Sequence, residues 1–189
     1  MNKKAVTGIV LAGGASSRMG KDKGLCDFKG KPLVSYAIDI LQPLCDNIII
    51  SSNNINDYQR FGLPVYEDIY KNIGPIGGIY TCLKKSSTIA NLVVSCDTPF
   101  LISSVLKFVL ENSDNYDVVA PKHGKSFYEP LAAYYSKSIV NLIEESINAK
   151  DYKLINFFDK IRFLGLNVGG IEGYTDSIFK NLNSPEDLI

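Results

Sequence analysis

The chain has 189 residues, 46% hydrophobic and 21% charged, which is ordinary for a globular protein with room for one domain and a sizeable core. Lys plus Arg and Asp plus Glu each total 20, so the formal net charge is 0, which argues against a nucleic-acid coat or a broad contact with an anionic membrane. No apolar run approaches the roughly 18 residues needed to span a bilayer. Met1-Asn2-Lys3-Lys4 leads into a predicted strand with no apolar signal region, so a cytoplasmic location is expected.

In chain order, Thr7-Gly8-Ile9-Val10-Leu11 reads as a buried strand. A helix follows with Pro32 as its first residue and Leu33, Val34, Ala37, Ile38 and Leu41 on one face. Asn47–Ser51 and the shorter Pro64-Val65-Tyr66 are the next strands, and Ile76 to Lys85 is helical, entered through Gly74-Pro75. Leu92-Val93-Val94-Ser95-Cys96 is a fourth strand. Ser103 and Ser104 are expected to cap a helix running to about Asn112, and Tyr116 to Pro121 is a fifth strand. Strand–helix alternation with near-continuous apolar strands predicts an α/β fold: one Rossmann-like, three-layer domain over 1–189 with a mostly parallel central sheet. Cys26, Cys45, Cys82 and Cys96 form no Cys-x-x-Cys pair and read as reduced thiols.

Open sheets of this kind bind ligands beyond the carboxyl ends of their strands. Those ends carry Ala12-Gly13-Gly14, Ser52-Asn53-Asn54, Glu67-Asp68 and Asp97-Thr98-Pro99, all small or polar. After the first strand, residues 12–24 combine glycine with Arg18, Lys21 and Lys23. Glycine lets successive N–H groups close on an anion, and the cations would neutralise phosphate oxygens. The same stretch is also compatible with a surface loop whose cations are solvated. Two common phosphate loops are excluded. The Walker pattern fails because Gly124-Lys125-Ser126 has Val119 where its first Gly belongs, while Gly20-Lys21 has Ala15 there and Asp22 in place of the hydroxyl. Gly-x-Gly-x-x-Gly fails because Ala15 follows Gly13 by two positions. Asp97, at the end of an apolar strand, can either offer a hard oxygen to magnesium or cap the turn before Pro99. His123 sits in a predicted loop, Lys122-His123-Gly124-Lys125, and is assigned no catalytic role.

Leu11-Ala12-Gly13-Gly14, then Arg18-Met19-Gly20 and Asp22-Lys23-Gly24-Leu25, resembles the signature loop of the sugar-nucleotidyltransferase-like enzymes, and within them the molybdenum cofactor guanylyltransferases. Phe28-Lys29-Gly30-Lys31-Pro32-Leu33, Cys96-Asp97-Thr98-Pro99, Gly74-Pro75-Ile76-Gly77-Gly78, Tyr128-Glu129-Pro130-Leu131 and Asn181-Leu182-Asn183-Ser184-Pro185-Glu186 continue the likeness in matching order. The last run also reads as a helix start with Ser184 as cap and Pro185 as first residue.

The resemblance implies magnesium-dependent transfer of GMP from GTP to the molybdenum-bearing pterin phosphate. It implies catalytic roles for Arg18, Lys23 and Asp97, with Asp97 holding the metal. It places the nucleotide against Leu11, Ala12, Gly13, Gly14, Lys23, Asn53, Asp68 and Asp97, and the pterin against Gly78, Asn181 and Asn183. Asn53 suits a purine edge, being donor and acceptor at once, although the family often carries its asparagine two residues earlier, where this chain has Ser51. Glu129-Pro130-Leu131 is expected to wall the acceptor side. Transient contact with other proteins of cofactor biosynthesis or molybdoenzyme maturation is implied as well. A cytidylyl- or sugar-1-phosphate nucleotidyltransferase, and a non-catalytic NTP-binding regulator, are the alternatives on the same scaffold.

Overall fold

The computed structural model describes residues 4–13, 22–123 and 127–188. Among them are ten strands: β1 (Val6–Leu11), β2 (Asp27–Phe28), β3 (Lys31–Pro32), β4 (Asn47–Ser51), β5 (Val65–Tyr66), β6 (Ala90–Ser95), β7 (Val118–His123), β8 (Phe127–Tyr128), β9 (Ala132–Ser136) and β10 (Phe163–Asn167). The α-helices are α1 (Leu33–Leu41), α2 (Ile55–Tyr58), α3 (Pro75–Lys85), α4 (Ser103–Glu111) and α5 (Val140–Asn148).

The main sheet runs β10-β7-β9-β6-β1-β4-β5, with β8 paired to β7, and β2 and β3 form a separate hairpin. β1 is central. It pairs in parallel with β4 on one side and β6 on the other, and all six of its residues are buried. A strand flanked on both edges and covered on both faces is largely apolar, which is why Val6–Leu11 does not alternate, and its one polar side chain, Thr7, is satisfied by Thr88 Oγ1 at 2.8 Å. Successive residues instead point to opposite cores. Val10 packs with α1 and α4 (Val34, Leu41, Val105, Leu106), whereas Ile9 and Leu11 pack with α3 and α5 (Ile79, Leu83, Ile143, Ile147). The result is an α/β fold with a helical layer on each face of a mostly parallel sheet. Each fully buried Leu or Ile contributes on the order of 2 kcal/mol of transfer free energy to holding these layers together.

β9 departs from the predicted scheme. No strand was expected next to Glu129-Pro130-Leu131, yet Ala132–Ser136 inserts between β6 and β7, antiparallel to both. Two smaller corrections concern helix starts. Pro32 is not the first residue of α1. It ends the β2–β3 hairpin in an extended conformation (φ −58°, ψ 142°) and precedes the helix. Ser103 and Ser104 do not cap α4, because the position before the helix is Ile102 and no side-chain cap forms. The fifth predicted strand also lies later than expected. It extends to His123, which pairs with Phe127, so Lys122 and His123 lie in a strand and not in the predicted loop. Among the described residues no helix is long and apolar enough to cross a membrane.

Candidate active site

The carboxyl ends of β1, β4, β5 and β6 lie side by side, knitted by backbone bonds one step beyond each strand. Ala12 N–H donates to Ser51 O (2.9 Å), Ser52 N–H to Tyr66 O (3.0 Å) and Cys96 N–H to Leu11 O (3.0 Å). This ladder uses the Ala12 amide, so any cradle of N–H groups around an anion starts at Gly13. The side chains of Leu11 and Ala12 are buried in the core. Gly14, Arg18 and Lys21 lie outside the described residues.

On the β6 side, Asp97 follows the last strand residue by two positions. Its Oδ1 accepts from Ser95 Oγ at 2.6 Å and its Oδ2 from Lys23 Nζ at 2.7 Å. The Lys23 ammonium also donates to Asn183 Oδ1 at 2.8 Å. The Lys23 and Asp97 side chains are each 17% exposed, which keeps them shielded from bulk water yet reachable from the cleft. Three segments far apart in sequence therefore converge on one cation: the end of the glycine-rich loop, the end of β6 and the C-terminal tail.

Several bonds hold the tail. Leu182 is buried against Phe28 and Leu33, and its N–H donates to the Asp97 carbonyl at 2.9 Å. Beyond it, the predicted Ser184 cap is replaced by the reverse arrangement. Asp187 Oδ2 accepts from the backbone N–H of Asn183 (2.9 Å) and Ser184 (3.0 Å) and from Ser184 Oγ (3.2 Å). The donated amides hold the Asp187 carboxyl below its ordinary range. Pro185–Leu188 follows as a short 3-10 turn. Asn181 is exposed.

The second half of the cleft gathers around Asp68. Ser51 Oγ donates to Asp68 Oδ1 at 2.6 Å, and the exposed Asn53 accepts from the Asp68 N–H through its Oδ1 at 3.4 Å. A Cβ built on Gly13 would stand 3.9 Å from Asp68 Oδ2, so Gly13 and Asp68 flank the same space. Gly78, assigned to the acceptor side by likeness, is instead packed under this half. A Cβ there would meet Ser51 Oγ at 2.6 Å and Leu11 Cδ2 at 3.1 Å. Gly78→Ala is expected to push Ser51 off Asp68 and to destabilise the protein by about 1–3 kcal/mol through overpacking. A melting curve unchanged from the parent protein would show that the site relaxes freely.

Desolvation pushes the Asp68 carboxyl above its ordinary value of 3.8. The Ser51 hydrogen bond works against this, Glu67 adds to it and Lys71 offsets it. A raised carboxyl pKa favours folding while the group is protonated. That contribution is complete below 3.8 and is lost as pH rises through the folded-state value, so the charged form is a cost at neutral pH. Asp68→Asn is therefore expected to raise the melting temperature at pH 7, to have little effect on it near pH 3, and to weaken nucleotide binding about tenfold. A lower melting temperature at pH 7 would contradict this.

The thiols of Cys82 and Cys96 are buried, and burial pushes both above their ordinary range, which makes them inert packing groups. Sequence reasoning missed the two serines, Ser51 and Ser95, that orient the carboxylates, and also Tyr58. A hydroxyl at a strand end two residues before Asp97 was a visible signal for Ser95. Ser51, likewise a hydroxyl at a strand end, carried the same signal, whereas nothing local marked Tyr58.

A family model described as "MobA-like NTP transferase domain" matches residues 8–161. A protein from Pelotomaculum thermopropionicum named "Probable molybdenum cofactor guanylyltransferase" is 34% identical over 185 residues, covering 97% of this chain and 90% of its own length. The "Molybdenum cofactor guanylyltransferase" of Vibrio vulnificus is 35% identical over 186 residues, covering 95% and 91%. Among solved structures, "Molybdopterin-guanine dinucleotide biosynthesis protein A" from Archaeoglobus fulgidus superposes with a TM-score of 0.80 at 24% identity, covering 96% of this chain and 94% of that one. A CMP:2-keto-3-deoxy-manno-octonic acid synthetase in complex with CTP shares the fold at a TM-score of 0.75 and 10% identity.

Proposed function

Since the chain belongs to the MobA-like NTP transferase domain family and is a nucleotidyltransferase, we propose that it transfers GMP from GTP to the molybdenum-bearing pterin phosphate, giving the guanine dinucleotide cofactor and pyrophosphate in the cytoplasm. The observation that carries this reading is the convergence of Lys23, Asp97 and Asn183 at the carboxyl edge, beside a cleft closed on its other side by Gly13 and Asp68.

In this reaction an acceptor phosphate oxygen attacks the α-phosphorus of GTP. The new P–O bond forms as the bond to the β-phosphate oxygen breaks, and pyrophosphate leaves with that electron pair. The attacking oxygen is already ionised, so no general base is required. The difficulty is to hold two anions together, and catalysis then rests on positioning and charge. Lys23 supplies a cation that Asp97 and Asn183 hold at the cleft until phosphate oxygens compete for it. Asn53 and Asp68 offer an acceptor-rich edge suited to the donors of guanine or ribose. The C-terminal tail, pinned by Leu182 to Asp97, brings Asn183 to the acceptor side.

Magnesium fits the donors present. Asp97 offers a hard carboxylate just beyond the end of β6, oriented by Ser95 and Lys23. That suits an ion which takes one protein carboxylate and completes its shell with water and phosphate. When bound, it would supply charge neutralisation at the phosphate oxygens.

The test is product formation from GTP, CTP, ATP or UTP, each with the pterin cofactor, with and without magnesium. Guanine dinucleotide and pyrophosphate are expected from GTP with magnesium alone. Product from CTP in preference to GTP would move the chain to the cytidylyl branch. Absence of pyrophosphate release with every nucleotide would fit a binding regulator instead.

A further inference from the structure

A buried tyrosine outside every motif stands between the two stems of the glycine-rich loop. Tyr58, the last residue of α2, is 0% exposed. Its hydroxyl donates to Asp22 Oδ1 at 2.6 Å, and the Ala12 carbonyl oxygen stands 3.4 Å from the same hydroxyl. Ala12 follows β1 and Asp22 opens the turn that carries Lys23, so one phenol touches both ends of the loop. Asp22 Oδ1 accepts a second bond, from Gly24 N–H at 3.2 Å, which spans Lys23 from behind. Gly24 is packed tightly against this unit. A Cβ on it would lie 2.3 Å from the Tyr58 hydroxyl oxygen and 3.3 Å from Cys96 Sγ, the residue before Asp97.

We propose that Tyr58 is a positioning residue for nucleotidyl transfer: through Asp22 and Gly24 it fixes the backbone on both sides of Lys23, and so sets where the lysine ammonium meets Asp97 and the triphosphate. The inference rests on the transfer reaction proposed above. Hydrogen-bond geometry and burial support it jointly. A phenol with no exposure costs free energy unless its O–H is satisfied, and the Asp22 carboxylate satisfies it with a short, charge-assisted bond. Burial, with the neighbouring Cys96 and Asp22 adding to it, pushes the phenol well above its ordinary value, so it remains a donor at any working pH. Gly24 is then required by close approach: any side chain would occupy the place of the hydroxyl.

The test uses Tyr58→Phe, which removes one oxygen and keeps the ring, and Asp22→Asn, which weakens the same bond from the cleft side. Two readouts are taken on the full chain. The first is amide hydrogen exchange without ligand. Peptides covering 22–25 are expected to exchange at least about tenfold faster in both variants, while those covering 90–95 are unchanged. The second is steady-state transfer with GTP and magnesium. The KM for GTP is expected to rise on the order of tenfold with the melting temperature retained, because a displaced lysine loses phosphate contacts. A purely structural role would lower kcat in proportion to folded protein and leave KM alone. That result, or unchanged exchange over 22–25, overturns the proposal. If the parent protein itself fails to turn over GTP, the transfer reading falls, and the exchange data alone decide whether the hydroxyl holds the lysine turn.

Discussion

Replacing Asp97 with alanine is expected to cut GTP-dependent pyrophosphate release on the order of 10³-fold while leaving the fold in place. The size follows from what the carboxylate does. It is the one hard anion that Ser95 and Lys23 jointly orient toward the cleft, at 2.6 and 2.7 Å, and it is the residue assigned to magnesium. The fold survives because the tail is pinned to the Asp97 carbonyl, which alanine retains, and not to its side chain. The ion pair with Lys23 is partly shielded, so its loss should cost between the roughly 1 kcal/mol of an exposed pair and the roughly 3 kcal/mol of a buried one. Near-parental turnover in the purified variant would remove Asp97 from the chemistry. A variant that is both inactive and unfolded would be replaced by Asp97→Asn, which keeps one of the two acceptor oxygens and puts an NH2 donor in place of the other.

The second large effect belongs to Lys23. Lys23→Ala is expected to weaken GTP binding by about 10- to 10²-fold, the equivalent of one or two charge-assisted hydrogen bonds to phosphate. The loss should exceed the charge effect of removing an exposed lysine such as Lys29, because Lys23 is held against Asp97 and Asn183 before the ligand arrives and little side-chain entropy remains to be lost. Calorimetry at low and at physiological salt separates the two, since a screened, exposed cation loses its effect with salt and a shielded one does so much less. Unchanged GTP affinity would show that the lysine serves only to hold the tail.

Part of this site was legible in the sequence for a physical reason. A parallel sheet covered on both faces forces apolar strands, and the eye then falls on what interrupts them: Gly13 after β1, Asp68 after β5, Asp97 after β6. At those ends the structure sets Gly13 beside Asp68 and Lys23 beside Asp97. Other features were silent. Ala132–Ser136 has no alternation, because the strand is buried on both faces at a parallel-to-antiparallel junction, and its tyrosines read equally as loop or wall. The Tyr58–Asp22 bond joins residues 36 apart, with the tyrosine at the end of a mostly polar stretch, Asn53-Asn54-Ile55-Asn56-Asp57. The return of the tail to Asp97 runs through a backbone amide, which no side-chain pattern encodes. Asn183 was assigned to the acceptor by likeness, and its contact with Lys23 gives it a place at the cation that spacing alone could not supply.

The most direct measurement is a crystal structure of the protein with GTP and manganese, the metal located by its anomalous signal. The account predicts manganese on an Asp97 carboxylate oxygen, the triphosphate within hydrogen-bond reach of Lys23, and the guanosine extending toward Asn53 and Asp68. A triphosphate bound elsewhere, with Asp97 and Lys23 still paired to each other and no metal beside them, would contradict it.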